Sequence, residues 1–380
     1  MRLPRRPLLA ALAAVLCVAA AVLAQPSPAA PRPGLHVSGN RIVDAAGRTV
    51  VLRGVNRAGT EGGPGSSSAP VSETEIGWIG SDHPGSWHAS AVRVLMGAAQ
   101  WTGACPALAE EARAYQRSID AEVRWITSRK MVALLDLHTS TADCTAIARH
   151  AMPDAPIAQR FWQSVAHHYA PNPLVAFELY NEPHYVSEDV WRKGTVSATM
   201  QDCDPQLPLS ARATCRATQP RYKAVGMQEL YDVVAKAAPG RLVVVDGYDW
   251  AATPPRRLLR GHPVYALHPY TCPGPGACQA PRNAHANLPV LQRWEPIAKR
   301  APVWVTEFGW PTKAPLRDVD GSRYYRETLE FLETRKPAWG WLAFAFDGSA
   351  SGAFTLTGDT RTYAPNRTGI PVYRGLRRTS

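Results

Sequence analysis

After residue 24 the chain has no apolar run long enough to cross a bilayer, which excludes a polytopic membrane protein. It has no block of Lys and Arg interleaved with aromatics, so a nucleic-acid partner is not expected despite an excess of basic residues. Neither CxxC nor HxxxH spacing occurs, which removes the usual zinc frameworks. No GxGxxG turn follows the first strand-like segment, where the chain reads GVNRAGTEGGPG, so a dinucleotide-binding open sheet is disfavoured. Beyond residues 25–34 no Ser/Thr/Pro-rich linker divides the chain, and about 350 residues then form one large domain rather than two.

What is present begins with an export signal. Arg2, Arg5 and Arg6 precede an apolar stretch from Leu8 to Ala24, and Val22 and Ala24 satisfy the small-residue cleavage rule. Residues 1–24 read as a signal peptide, 25–34 as a Pro/Ala linker and 35–380 as the single large domain. Cys17 follows Leu16, where a lipobox needs a small residue, so a lipoprotein is not expected. Loss of the leader leaves six cysteines, an even number that suits three disulfides in an oxidising compartment. Proximity favours Cys203–Cys215 and Cys272–Cys278 as loop staples, leaving Cys105 with Cys144. The formal charge of +11 falls to +8 with the three leader arginines, and the remainder is scattered, as for solubility.

Eight segments rich in β-branched and aliphatic residues recur at intervals suited to βα units. They are TVVLRGVN (49–56), AVRVLM (91–96), MVALLDLH (131–138) and VAFELYNEP (175–183), then RLVVVDG (241–247), PVYALHPY (263–270), PVWVTEFGW (302–310) and WGWLAFAFD (339–347). The runs are near-continuous rather than alternating, as parallel strands covered on both faces should be. Helical patterns separate several of them, at 110–129, 158–170, 222–238 and 323–335. This pattern predicts a (β/α)8 TIM barrel. A short pair at 35–44 reads as a β-hairpin over the closed end of the barrel, and the loops at about 57–90 and 184–220 are long, the first rich in Gly, Ser and Pro and the second disulfide-pinned through Cys203 and Cys215.

Functional groups in such a barrel sit at the C-terminal ends of the strands. Those ends carry Arg93, His138, Asn181, Glu182, His268, Tyr270 and Glu307. Any one of them alone is ordinary, since a lone strand-end His or Arg is most often structural. Glu182 and Glu307 differ, because each closes an apolar run, and carboxylates are rarely buried unless paired or functional. Two carboxylates facing one cleft are what glycoside hydrolysis requires.

With these residues in place the chain resembles the glycoside hydrolase family 5 cellulases over about Leu35–Asp347. NEP (181–183) and TEFG (306–309) carry the resemblance, supported in order by LRGVN (52–56), VR (92–93), DLH (136–138) and HPY (268–270). It implies Glu182 as general acid/base and Glu307 as nucleophile. It further implies Asn181 on the sugar 2-hydroxyl, Arg93 beneath Glu307, and His138, His268 and Tyr270 completing the shell. The family usually places a tryptophan at the end of the eighth strand. Here Trp341 or Phe344 fills that place, Phe344 being the better match, and VRVLMG lacks the proline that usually follows the second strand. Trp101, Trp250 and Trp310 fall just past strand ends, where a ring can stack on a pyranose or merely anchor a loop. Trp125 and Trp162 lie in helical segments and read as core, and Glu61 reads equally as a substrate-contacting acid after the first strand or as a solvated loop acid.

The expectation is therefore a secreted, monomeric, retaining glycoside hydrolase acting on a polysaccharide, without cofactor or metal. An endo-β-1,4-glucanase leads, with β-mannanase or another β-glucanase as alternatives. A non-catalytic glycan-binding barrel is the reading from another class, against which the intact carboxylate pair argues. A metal-dependent barrel hydrolase using His138 and His268 would normally begin with HxH on the first strand, which is missing.

Overall fold

The eight apolar runs all become strands, and the eight strands close on one another in parallel. The computed structural model describes residues 34–60, 70–104, 106–140, 150–199, 214, 221–270, 287–311, 318–346 and 354–378. In chain order the first elements are β1 (His36–Ser38), β2 (Arg41–Val43), β3 (Arg53–Arg57), α1 (Glu73–Ile79), β4 (Ala91–Gly97), α2 (Ala98–Thr102), α3 (Pro106–Ser128) and β5 (Val132–Thr139). There follow α4 (Ala155–Tyr169), β6 (Val175–Glu178), α5 (Glu188–Lys193), β7 (Gly194–Thr199), β8 (Arg221–Val225), α6 (Met227–Ala237) and β9 (Val243–Asp246). The last are β10 (Val264–Leu267), α7 (Leu288–Arg293), α8 (Glu295–Ala298), β11 (Val303–Phe308), α9 (Asp318–Glu333), β12 (Gly340–Ala343) and α10 (Ile370–Arg378). The barrel runs β3-β4-β5-β6-β9-β10-β11-β12 and back to β3, the (β/α)8 arrangement.

Successive side chains of a strand point to opposite faces, so each barrel strand feeds two cores at once. Ala91, Val132, Leu134, Ala176, Val244, Val264, Ala266, Trp304 and Leu342 fill the inside. Their immediate neighbours, among them Val92, Ala133, Leu135, Phe177, Val245, Tyr265 and Val305, face the helices. Each fully buried aliphatic side chain contributes about 1.5–3 kcal/mol. One step further along the inward positions the character changes. Arg93, Asp136, Glu178, Asp246, His268 and Thr306 follow, all with 0–1% exposure. The barrel is apolar below and ionic above. Gly54 lets β3 meet β4 closely, since an added Cβ would lie 1.7 Å from the Ala91 carbonyl oxygen.

The hairpin β1–β2 closes the lower end. Leu35 and Ile42 join the interior cluster, and the Asn40 side chain donates to the Ala298 carbonyl at 2.8 Å. Two local expectations change. The stretch 222–238 is not one helix, because β8 pairs antiparallel with β7 and only Met227–Ala237 is helical. RYKAV alternates exposed and buried residues, the period of a strand, and a side chain at Gly226 would meet the Arg192 carbonyl oxygen at 2.4 Å. The fourth barrel strand ends at Glu178 rather than Pro183, so Asn181 and Glu182 stand beyond the ladder. Cys105, Cys144, Cys203, Cys215, Cys272 and Cys278, with residues 1–33 and Glu61, lie outside the described residues. Among the described residues no helix is long and apolar enough to cross a membrane.

Candidate active site

The ionic layer is organised by one guanidinium. Arg93 is fully buried, and its Nη1 donates to Glu307 Oε2 at 2.7 Å and to Asn56 Oδ1 at 3.0 Å. Nη2 donates to Asn181 Oδ1 at 2.9 Å and pairs with Asp136 Oδ2 at 3.0 Å, while Nε donates to Glu178 Oε2. Arginine suits this place because its rigid fork serves several planar acceptors together. Burial works against its charge, but Asp136, Glu178, Glu307 and Asp246 outweigh it and raise its pKa further.

Several carboxylates around one cation cannot all stay ionised in a dry interior. Burial pushes the carboxyl groups of Asp136 and Asp246 well above the usual range, and Arg93 does not offset it. At Glu178 burial acts the same way, yet Arg93 and His268 prevail and the pKa is lowered. Within the layer Glu178 is therefore the group held towards its carboxylate form, while Asp136 and Asp246 are pushed towards the neutral acid.

Above this layer stand Glu182 and Glu307, 6% and 7% exposed at the open end. One oxygen of each, together with a ring nitrogen of His268, lies within 4.8 Å of the others. Glu307 receives a hydrogen bond on each oxygen, from Arg93 on Oε2 and from the Tyr270 hydroxyl on Oε1 at 2.8 Å. Burial first, and then Glu307 and Glu182, hold the Tyr270 phenol well above its ordinary pKa, so it remains a donor. Glu182 is supported differently. Its Oε1 is 3.0 Å from His268 Nδ1, and its backbone N–H donates to Asp246 Oδ2 at 2.9 Å. Its φ of 53° is left-handed, a conformation that costs a non-glycine residue energy and recurs at functional sites.

The predicted site residues mostly converge here. His138 Nδ1 meets Asp136 Oδ2 at 2.8 Å, and Asn181 binds Arg93. Phe344, half-buried just past β12, packs edge-on against Phe354, which packs edge-on against Tyr270. Two tryptophans do not join. Trp341 is fully buried on the helix side of β12, with Nε1 bonded to Glu333 at 2.8 Å, because its register points outward. Trp310 is 2% exposed and packs on Tyr324. Trp101 donates to Ser164, and Trp250 stacks on His184 with ring centroids 3.8 Å apart. That stack braces the turn behind Glu182, since His184 Nδ1 lies 2.6 Å from the Glu182 carbonyl oxygen. Both tryptophans anchor structure.

Sequence reasoning missed Asn56, Asp136, Glu178, Asp246 and Thr306. Their signal was a polar residue in phase with inward apolar ones: Leu134-x-Asp136-x-His138, Ala176-x-Glu178 and Val244-x-Asp246. It also missed Tyr185, three residues past Glu182, left-handed at φ 52° and 41% exposed, edge-on to Trp250. Glu178, Asp246 and His268 also approach one another closely enough to hold a cation, but Arg93 already fills that role in the layer.

A model of the cellulase family, glycosyl hydrolase family 5, matches residues 73–347. Among solved structures, the β-glucanase SdGluc5_26A of Saccharophagus degradans in complex with cellotetraose has 19% identity and a TM-score of 0.61, over 91% of this chain and 94% of that one. The catalytic domain of Thermobifida fusca endoglucanase Cel5A, also with cellotetraose, has 17% identity and a TM-score of 0.60, over 90% and 97%. An endo-β-1,4-glucanase of Xanthomonas axonopodis pv. citri has 16% identity and a TM-score of 0.58, over 87% and 100%. At such identities these likenesses speak for the fold alone. A search of curated proteins finds no match. The family match spans most of the chain, which belongs to the glycosyl hydrolase family 5 cellulases and is a glycoside hydrolase.

Proposed function

We propose that the protein is a secreted, monomeric endo-β-1,4-glucanase that works with retention of configuration. The observation that carries this reading is the approach of Glu182 and Glu307 oxygens to within 4.8 Å. Inverting enzymes hold their carboxyl groups roughly 6.5–9.5 Å apart to admit a water, whereas retaining ones need only about 5–5.5 Å. Glu307, with a donor on each oxygen, is the nucleophile that attacks the anomeric carbon. Glu182 donates a proton to the departing glycosidic oxygen, then takes one from the water that hydrolyses the glycosyl-enzyme. Asn181 commits its carbonyl oxygen to Arg93 and turns its amide nitrogen to the 2-hydroxyl of the sugar. His138 completes the hydrogen-bonding shell, and Phe344 supplies the apolar platform where relatives use tryptophan.

The cellotetraose bound in two of the similar glucanases supports a β-1,4-glucan. The N-terminal leader and the even cysteine count support export. A 2-deoxy-2-fluoro cellobioside with an activated leaving group tests the mechanism. Peptide mass mapping is expected to find the label on Glu307, and a label elsewhere refutes the assignment. Hydrolysis of a panel of cellulose, mixed-linkage glucan and mannan, with product size and anomeric configuration recorded, tests the substrate. Mannan cleaved faster than any β-glucan would replace the β-1,4-glucan as substrate, and inverted products would replace the mechanism.

A further inference from the structure

The ladder between β11 and β12 ends at Phe308 and Ala343, and just beyond it the two strand exits are joined by a side chain. β11 leads into Gly309 and Trp310, and β12 into Phe344. The Phe344 N–H reaches back to the Phe308 carbonyl oxygen at 2.8 Å. The Phe344 carbonyl oxygen accepts from the Tyr325 hydroxyl at 3.0 Å, and that hydroxyl accepts the Trp310 N–H at 3.1 Å. The directions follow from the groups themselves. A carbonyl only accepts and a backbone N–H only donates, so the single phenolic proton goes to Phe344. The hydroxyl stands where the next rung of the sheet would be, between a donor of one exit and an acceptor of the other.

Tyr325 is fully buried on α9, edge-on to Phe308 with ring centroids 5.6 Å apart and to Tyr324 at 5.4 Å. Burial holds its phenol above the ordinary pKa, so the proton it donates is kept. Gly309 leaves the room for this junction, since a Cβ there would lie 2.8 Å from the Phe344 carbonyl oxygen and 3.0 Å from the Phe354 ring. Both polar groups of the Phe344 backbone are therefore tied, which fixes the direction of its Cα–Cβ bond. Phe354, edge-on at 5.7 Å, confines the ring. One of the two ties runs to Phe308, the residue after Glu307.

We propose that Tyr325 is a positioning residue for the sugar platform: by linking Trp310 to Phe344 it holds the Phe344 ring in one place relative to Glu307. This rests on the reading of Phe344 as the platform beneath the glucosyl unit that Glu307 attacks. Fully buried, Tyr325 touches no substrate itself. It acts by making the exits of β11 and β12 move as one unit.

Tyr325→Phe keeps the ring and removes only the hydroxyl. The kcat/KM of the whole enzyme on cellotetraose is expected to fall roughly three- to ten-fold. Phe344→Ala should lower it by roughly ten-fold or more. Adding Tyr325→Phe to Phe344→Ala should then cost less than about two-fold further, because no ring is left to place. A merely structural tyrosine would lower the melting temperature and leave kcat/KM alone, or lower kcat/KM by the same factor in both backgrounds. Either kinetic result overturns the proposal. Amide hydrogen exchange of the wild-type enzyme gives a readout that needs no variant. The Trp310 N–H, donating to a buried hydroxyl, should be protected, and fast exchange there also overturns the proposal. Failure of the platform reading would look different: Phe344→Ala would keep wild-type kcat/KM.

Discussion

Replacing Tyr270 by Phe removes one oxygen from a fully formed site and leaves its packing. The hydroxyl is 2.8 Å from Glu307 Oε1 and is one of two donors on that carboxylate, the other being Arg93 on Oε2. A hydrogen bond to a charged group contributes about 1.5–3 kcal/mol, so if the bond is kept in the transition state its loss lowers kcat/KM by roughly 10- to 150-fold. The ring stays edge-on to Phe354, so the melting temperature should change little. Steady-state hydrolysis of an aryl cellobioside, beside a thermal melt, reads both quantities. A variant with wild-type kcat/KM would refute the claim that the Tyr270 hydroxyl supports Glu307 in the reaction.

Asp246→Asn tests the neutral acid. Burial raises the Asp246 pKa in the folded state, so above the unfolded value of roughly 3.9 the folded protein holds a proton the unfolded chain has released. That contribution favours folding at low pH and is lost as pH rises towards the folded value. Asn carries no such linkage, so its melting temperature relative to wild type should be higher at pH 7 than at pH 4; the opposite order would show Asp246 ionised. Trp341→Phe removes the bond to Glu333 and should cost about 1–3 kcal/mol of stability in a melt, with kcat/KM within about two-fold of wild type. A selective loss of substrate affinity would put Trp341 back on the cleft. Tyr185→Ala, at the exposed ring three residues beyond Glu182, should lower kcat/KM on cellotetraose by roughly 2- to 10-fold, the worth of one aromatic stacking contact. An unchanged value would make that ring a bystander.

Much of this was legible along the chain. The eight apolar runs with helical intervals required a parallel sheet covered on both faces, and the absence of a phosphate turn favoured closure. The two glutamates announced themselves because a carboxylate at the end of an apolar strand needs a reason. Period-2 phase alone could have put Glu178, Asp246 and Asp136 inside. It could not have told which of them keeps its proton, since that depends on their shared distance from Arg93. Trp341 and Phe344 show the same limit from the other side. Both are aromatic residues near the end of one strand, yet register turns one to the helices and sets the other just past the strand end.

The sequence by itself determined the barrel, the carboxylate pair and the family, because periodicity and strand-end chemistry are local properties of the chain. Tertiary structure decided the pairing distance of Glu182 and Glu307, which comes from residues 125 positions apart on non-adjacent strands. It also decided the charge of the inner layer. A proton distributes itself by burial and by the nearest cation, and both exist only once β4, β5, β6, β9 and β11 have closed around Arg93.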